Sequence, residues 1–421
     1  MTARETALSI LRRVHRGAFA APVLSDALAR GGLSAADRGF VTHLVYGSLR
    51  LELALDAQLR PLLQNPAKLP PGVLDALRLG AFEALYSGTP RRAVVNEWVA
   101  IVKRRHGRLA GLVNAVLRRV EARELPPATR YGLPAWLYAE WEARFGRQRA
   151  EAVAAAMVAG EPLWLLAYHP QATHALLEEG CEVTLGPIEG TLAVRPSKPL
   201  GELAAFRRGW VQPQNPASSL PARLLEVAPG ERVLDLASGS GVKAAQLAAL
   251  GADVTSVELH PNKLERAAAN LRRLGLRARG VVHDLRTPPD LPPAPKVLLD
   301  APCTGTGTLR GHPELRTRVT PEATRSLAAL QRELLRSAAA VTAPGGLLVY
   351  AVCALTQAEG PEMARWFLET HPDFEAEPFL FDLPADNAPE GSSVLPLGGL
   401  DGFFIARFKR QSSGVRTQKN S

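Results

Sequence analysis

The sequence predicts a multidomain protein in which an all-α N-terminal domain precedes a Rossmann-like, doubly wound α/β domain. Three observations carry this. The 421 residues exceed what one core of ordinary size accommodates. Up to about Val120, apolar residues recur at three- and four-residue spacing. Beyond about residue 211, short apolar strands alternate with longer helical stretches.

Residues 1–125 form the expected helical domain. ETALSILRRV, APVLSDALARGG, ADRGFVTHLVYGSLR, GVLDALRLGAFEALY, AVVNEWVAIVKRR and LAGLVNAVLRRV are amphipathic helices, broken at GG, NPAKLPPG and SGTPRR. Residues 126–210 join the domains. ELPPATRYGLP is a linker, PAWLYAEWEARFG and QRAEAVAAAMVAG are helical, and WLLAYHP to TLAVRPS is a small α+β piece. Residues 211–410 hold the α/β domain. Its strands are ERVLDLASGSG, ADVTSVELH, ARGVVHDL, PKVLLDAPC and GGLLVYAVC, and its helices include KAAQLAALG, NKLERAAANLRRLG and RSLAALQRELLRSAAAV. Residues 411–421, QSSGVRTQKNS, read as a disordered polar tail.

The composition, 46% apolar and 22% charged with no apolar run long enough to cross a bilayer, predicts a soluble chain with no membrane partner. Arg4, Glu5, Arg12 and Arg13 interrupt the stretch where a secretion signal would lie, so the expected location is cytoplasmic. Cys181, Cys303 and Cys353 form neither a disulfide framework nor paired zinc spacing, and no metal is expected. The formal charge of +9 is uneven. Residues 1–130 hold 20 Lys and Arg against 10 Asp and Glu, a local +10, which leaves the remainder at −1. Of the 50 basic residues 42 are arginine, whose planar fork suits phosphate, so the helical domain is expected to meet a polyanion.

In an α/β sheet of this kind, ligands sit at the carboxyl ends of the strands. VLDL is followed by ASGSGVK, which places Gly239 and Gly241 where a tight turn lets a ligand approach the backbone. Glu258 ends the next strand 23 residues after Asp235, at the distance of a ribose-binding carboxylate. NAD satisfies that spacing too, but the glycines do not follow G-x-G-x-x-G, and the next strand ends supply Asp284 and Asp300. Three such carboxylates suit a ligand bearing ribose, an adenine amino group and a cationic amino acid, as S-adenosylmethionine does.

The thiols point to the chemistry. Asp300, Ala301, Pro302 and Cys303 directly follow PKVLL, and Cys353 ends LLVYAV. Methylation of a pyrimidine at carbon 5 needs a thiolate to attack carbon 6, an acid near ring nitrogen 3 and a base for the carbon-5 proton. Two cysteines and Asp300 supply most of this, and either thiol could attack. Cys181, in LLEEGCEVTLG, reads as an apolar filler.

DAPCTGTGTLRGHPEL followed by GGLLVYAVCALTQAEG resembles the paired cysteine motifs of the RNA cytosine-5 methyltransferases of the NOL1/NOP2/Sun family. GWVQPQNPASSL resembles the segment before that family's cofactor turn, and LDGFFIARFKR its closing strand. RRAVVNEWVAIVK and GLVNAVLRRV resemble a NusB-like RNA-binding domain, a combination similar to bacterial members that methylate one cytosine of 16S ribosomal RNA. The resemblance implies S-adenosylmethionine as cofactor and a monomer acting on 16S rRNA, naked or in a pre-ribosomal small subunit. It implies that Cys353 is the nucleophile, that Cys303 assists release of the covalent adduct, and that Asp300 holds the base edge. Ala237, Ser238, Gly239, Ser240, Gly241, Val242 and Lys243 would form the cofactor turn, with Glu258 on the ribose, Asp284 at the adenine and Asp300 completing the carboxylate set. The chain departs from the family at two places: DLASGSGVKA stands where DLCAAPGGKT is usual, and AVCAL where TCS is usual. A non-catalytic RNA-binding assembly factor and a methyltransferase acting on tRNA are the alternative readings.

Overall fold

The computed structural model describes residues 1–30, 32–160 and 162–412. Of the expected polar tail, residues 413–421 lie outside the described residues, while the Gln411 amide donates to the Asp373 carbonyl at 2.8 Å. The chain divides into two compact units, one comprising Met1–Gly160 with Thr308–Val319 and the other the remainder.

The second unit contains two sheets. In the smaller, β1 (Leu163–Ala167), β2 (Glu182–Leu185), β3 (Thr191–Arg195) and β4 (Val211–Pro213) lie antiparallel in the order β2-β3-β1-β4. With helices Ala172–Glu178 and Ala204–Arg207 this is the split βαβ arrangement. Leu165, Leu192 and Val194 pack with Ala172, Ala175 and Leu176, while Trp164 donates its indole N–H to the Gly399 carbonyl at 2.9 Å.

The larger sheet has nine strands. Its parallel part is β5 (Arg232–Leu236), β6 (Asp253–Glu258), β7 (Arg279–Val282), β8 (Ala294–Asp300) and β9 (Thr342–Val352), in the order β7-β6-β5-β8-β9. The antiparallel β13 (Phe403–Arg410) joins β9 and also pairs with β10 (Phe374–Ala376). Beyond β13, β12 (Gly391–Val394) and β11 (Ala385–Ala388) complete the edge. The central strands are buried on both faces, which is why VLDL, KVLL and LLVYAV read as continuous apolar runs. Helices Val242–Ala249, Pro261–Arg273 and Pro321–Ala340 occupy the stretches read as helical. The strand order reverses between β5 and β8, which is where such sheets bind ligands.

The first unit is helical throughout. Seven helices span Ala3–Val14, Ala20–Ala29, Ala35–Arg50, Glu52–Leu59, Pro71–Tyr86, Arg91–His106 and Ala110–Arg119, and Ala135–Phe145 and Arg147–Val158 follow. The expected linker also holds a one-turn helix, Pro127–Arg130. Ile10, Leu44, Leu77, Trp98 and Val113 anchor the core, and the Trp98 indole donates to Glu83 at 2.9 Å.

Thr308–Val319, which begins five residues after Cys303, belongs to this helical unit, a placement the linear sequence did not disclose. Arginines fix it. Arg316 is buried and donates to the carbonyls of Tyr131 (2.7 Å), Gly132 (3.2 Å) and Met157 (2.6 Å), and Arg318 donates to those of Val14 and Ala18 at 2.7 Å each. Arg50 donates in turn to the Arg310 carbonyl.

A charge cluster ties three helices of the unit together. His15 meets Asp75 at 2.8 Å and Glu52 at 3.0 Å, and Arg78 reaches Glu52 at 3.0 Å and Asp56 at 2.7 Å. Burial works against the His15 charge, but the bonds to Asp75 and Glu52 outweigh it and raise the pKa from 6.5 to about 9. Because the folded value lies above the unfolded one, the stabilisation is complete below pH 6.5 and is lost as pH rises through about 9. It should amount to roughly 2 kcal/mol after allowance for screening. Thermal unfolding at pH 6 and pH 9.5 should show His15→Gln destabilised at the lower pH and close to wild type at the higher. A deficit of equal size at both would contradict the assignment.

Candidate active site

The parallel registers place every strand terminus at one edge. Leu236 lies opposite Val257 and Leu299, Glu258 opposite Val282, and Asp300 opposite Ala351, so the residues that follow converge on one crevice. After β5 the chain turns sharply, with Ala237, Gly239 and Gly241 at φ of 57°, 57° and 76°. Ala237 holds a left-handed conformation that costs a non-glycine residue about 1 kcal/mol or more, a strain typical of functional turns. Gly241 has a second reason to lack a side chain, since a Cβ there would meet the Ala267 Cβ at 2.7 Å.

Glu258 is buried and oriented by backbone. Its Oε2 accepts the Gly239 N–H at 3.0 Å and its Oε1 the His260 N–H at 3.1 Å, with Lys263 Nζ at 3.3 Å. Asp284 accepts two bonds from the Arg286 guanidinium at 2.5 and 2.9 Å and one from its amide at 3.0 Å, which hold its pKa down at about 2. Asp300 is bound by Lys243, with Nζ 2.5 Å from Oδ2.

Asp235 is a buried acid inside β5, one residue short of the strand end. It is fully inaccessible, and neither carboxylate oxygen has a hydrogen-bond partner among the described residues. Burial raises its pKa to about 7 and Asp300 adds to the rise, while Lys243 offsets part of it; the Ala244 amide offsets a little without reaching normal bonding geometry. It lines a pocket of about 320 Å³ with Gln214, Ser218, Ala237, Ser238, Gly239, Ser240, Val242, Lys243 and Asp300. Gln214 Oε1 and Ser238 Oγ are also buried without partners among the described residues. Orphaned acceptors around one basic side chain suit a zwitterionic ligand end.

An adjoining cleft of about 620 Å³ shares Ala237 and Asp300 with that pocket and contains Glu258, Asp284, Cys303 and Cys353. Gly241 lines neither cavity; it shapes the turn. The two sulfurs lie 3.2 Å apart, both unbridged and partly accessible. The Cys353 hydrogen bond, burial and neighbouring negative charge push the Cys303 thiol well up. Cys181, in contrast, is buried in the core of the small sheet, with Ser197 Oγ at 3.8 Å.

A buried polar knot supports the thiols. Glu359 accepts from the Thr304 amide at 2.8 Å, the Thr304 hydroxyl at 2.5 Å and the Thr356 hydroxyl at 2.7 Å. The Thr306 hydroxyl accepts the Leu355 amide at 2.9 Å, and the Gly307 amide donates to the Cys353 carbonyl at 3.0 Å. Gly307 must be glycine, since a Cβ would stand 1.9 Å from the Gly402 carbonyl oxygen. The hydroxyls of Thr304, Thr306 and Thr356 thus link the loops that carry the two cysteines. The run of threonines and the acid in CTGTG and LTQAEG was the available sequence signal for this network.

The reversed strand order, the glycine turn after β5 and the carboxylates at successive strand ends define a methyltransferase dependent on S-adenosylmethionine. Residues 222–409 match the family model described as 16S rRNA methyltransferase RsmB/F, and residues 1–122 that of the NusB family. The chain is 46% identical over 415 residues to the ribosomal RNA small subunit methyltransferase B of Thermus thermophilus, covering 98% of each. It is 33% identical to the protein of the same name from Pseudomonas putida, over 88% of this chain and 90% of that one. The chain belongs to the RsmB/F methyltransferase family. Among solved structures, PH0851 superposes with a TM-score of 0.84 at 24% identity over 97% of this chain and 98% of that one, a likeness of fold. The structure described as NSun6 from Pyrococcus horikoshii with SFG gives 0.59 at 20% identity, covering 66% and 98%.

The uncompensated acid of the smaller pocket has a measurable consequence. A carboxyl whose folded pKa lies above its unfolded value weakens the fold once pH exceeds the unfolded value. Asp235→Asn should therefore raise the melting temperature of the ligand-free protein at pH 8, by the equivalent of roughly 1–3 kcal/mol. A lowered melting temperature would show that the carboxylate is instead needed for folding.

Proposed function

We propose that this enzyme transfers a methyl group from S-adenosylmethionine to carbon 5 of a specific cytosine in 16S ribosomal RNA, through a transient bond between Cys353 and carbon 6 of the base. The observation that carries the reading is the pair of sulfurs 3.2 Å apart in a cleft lined also by Asp300, Glu258 and Asp284. A methyltransferase acting on an exocyclic nitrogen has no use for paired thiols. Relatives named as small-subunit rRNA methyltransferases support the substrate class.

The residues fit the cofactor. Glu258, oriented by Gly239 and His260, keeps lone pairs for ribose hydroxyls, and Asp284, anionic beside Arg286, accepts from an adenine amino group. Asp235 and Lys243 offer opposite charges to the ammonium and carboxylate of the amino-acid end. When bound, S-adenosylmethionine supplies an electrophilic methyl group.

The thiols divide the remaining work. Cys353, as thiolate, adds to carbon 6 of an unstacked cytosine while Asp300, held by Lys243, fixes the base edge, and the electrons displaced toward carbon 5 make that carbon nucleophilic. Once Cys353 is bonded to carbon it no longer accepts a proton or bears charge, and the chief cause of the raised Cys303 pKa is removed. Once carbon 5 carries the methyl group that the bound cofactor would supply, Cys303 releases its proton to water and takes the carbon-5 proton. The electrons of that C–H bond restore the ring double bond, and Cys353 leaves as thiolate.

The helical unit offers an RNA-docking groove of about 260 Å³ bordered by Arg12, Arg13, Arg16, Arg104 and Arg105, where the local charge excess becomes a surface. Replacing Arg12, Arg16 and Arg105 with Gln should weaken RNA binding and reduce the slope of log K against log salt by roughly 2. An unchanged slope would remove the groove from the interface.

Methyl transfer from labelled S-adenosylmethionine to 16S rRNA lacking the modification, with the product nucleoside identified by mass spectrometry, tests the whole reading. 5-Methylcytosine at one position is expected, and transfer to tRNA alone or to no RNA would overturn it. On denaturing gels Cys303→Ala should accumulate an RNA-protein adduct and Cys353→Ala none. The reverse pattern would exchange their roles.

A further inference from the structure

We propose that Glu359 is the positioning residue that decides which of the two thiols attacks, by binding both cysteine loops and holding a buried negative charge beside Cys303. The proposal rests on the reading of the cleft as a cytosine site and adds a residue outside the strand-end set. Glu359 is 0% exposed, and its carboxylate is held by four neutral donors: the Thr304 amide and hydroxyl, the Thr356 hydroxyl, and the Gln331 amide at 3.2 Å. Thr304 adjoins Cys303 and Thr356 lies three residues past Cys353, so one side chain binds both cysteine loops. Gln331 extends the hold by donating to the Pro302 carbonyl at 2.9 Å, and Tyr350 by donating to the Glu359 carbonyl at 2.8 Å.

Geometry makes this hold asymmetric. The residue next to Cys303 donates both its amide and its hydroxyl to the carboxylate, whereas Cys353 is reached only through Thr356. A buried anion neutralised by dipoles rather than by a cation disfavours a second anion close by. Of the titratable groups around Cys303, Cys353 and Glu359 act on its thiol, Tyr350 is buried close by, and the cleft is lined further by Glu258, His260, Lys263, His283, Asp284, Arg286 and Asp300. Glu359 therefore opposes ionisation at Cys303, whose sulfur lies 3.2 Å from that of Cys353. A thiol pair sharing one proton needs such a bias, because two equivalent sulfurs would divide the thiolate between them and half of it would sit on the wrong residue.

The test needs neither RNA nor cofactor, so its failure is separable from failure of the methyltransferase reading. Full-length protein is treated with iodoacetamide from pH 6 to 10, and the modification at Cys303 and Cys353 is quantified separately by mass spectrometry. In wild type, Cys353 should react about tenfold or more faster than Cys303 at pH 7.5. Glu359→Gln, which keeps the shape and removes the charge, should shift the Cys303 midpoint to lower pH and shrink the ratio to roughly threefold or less. Glu359→Asp, which restores the charge, should recover most of the ratio; a purely structural role would give no such recovery. A folded Glu359→Gln protein with the wild-type ratio and midpoint would overturn the proposal. So would faster reaction of Cys303 in wild type, a result that does not depend on any variant folding.

Discussion

Backbone hydrogen bonding between β5 and its parallel neighbours fixes where each reactive side chain can stand. In a parallel ladder all strands end at the same edge, so acids and thiols that are far apart along the chain become neighbours once the registers are set. Leu236 against Leu299 and Asp300 against Ala351 bring the cofactor turn, Asp300 and the approach to Cys353 to one level. A slip of one residue would turn the alternating side chains to the opposite face and disperse the site. The double burial of the central strands guards against that slip, because either face would lose its apolar cover.

Charge is treated differently in the two units. In the helical unit His15, Glu52, Asp75 and Arg78 satisfy one another, and the cluster acts as a structural clamp. In the α/β unit, among the described residues, Asp235 is buried with empty acceptors and Glu359 is buried on neutral donors. Such groups oppose folding unless a ligand or a chemical role accounts for them. Their concentration around the glycine turn and the thiols marks the functional edge as clearly as the cleft does.

The two departures from the family motifs become intelligible in three dimensions. DLASGSGVKA still turns, because Gly239 and Gly241 take the left-handed conformations while Ala237 accepts strain. Around AVCAL the hydroxyls of Thr304, Thr306 and Thr356 join the two cysteine loops through Glu359 and the Leu355 amide, so the loops are fixed without a hydroxyl next to Cys353.

Periodicity by itself determined the helical N-terminal domain, the alternating strands and helices of the α/β domain, and the strand-end placement of Glu258, Asp284, Asp300, Cys303 and Cys353. These are local consequences of apolar spacing and turn residues. The antiparallel strands β10 to β12 were not legible, since FEAEPFLFDLPADNAPEGSSV lacks the alternation of a half-buried strand and is ordered by pairing, β10 and β12 with β13 and β11 with β12. Nor was the membership of Thr308–Val319 in the helical unit, which depends on arginines meeting carbonyls 159 to 304 residues away. The sequence determined which groups could act; tertiary structure alone decided that Asp235 would be orphaned, that the sulfurs would approach to 3.2 Å and that Glu359 would bind both loops. Distance, burial and the pairing of charges exist only once remote segments meet.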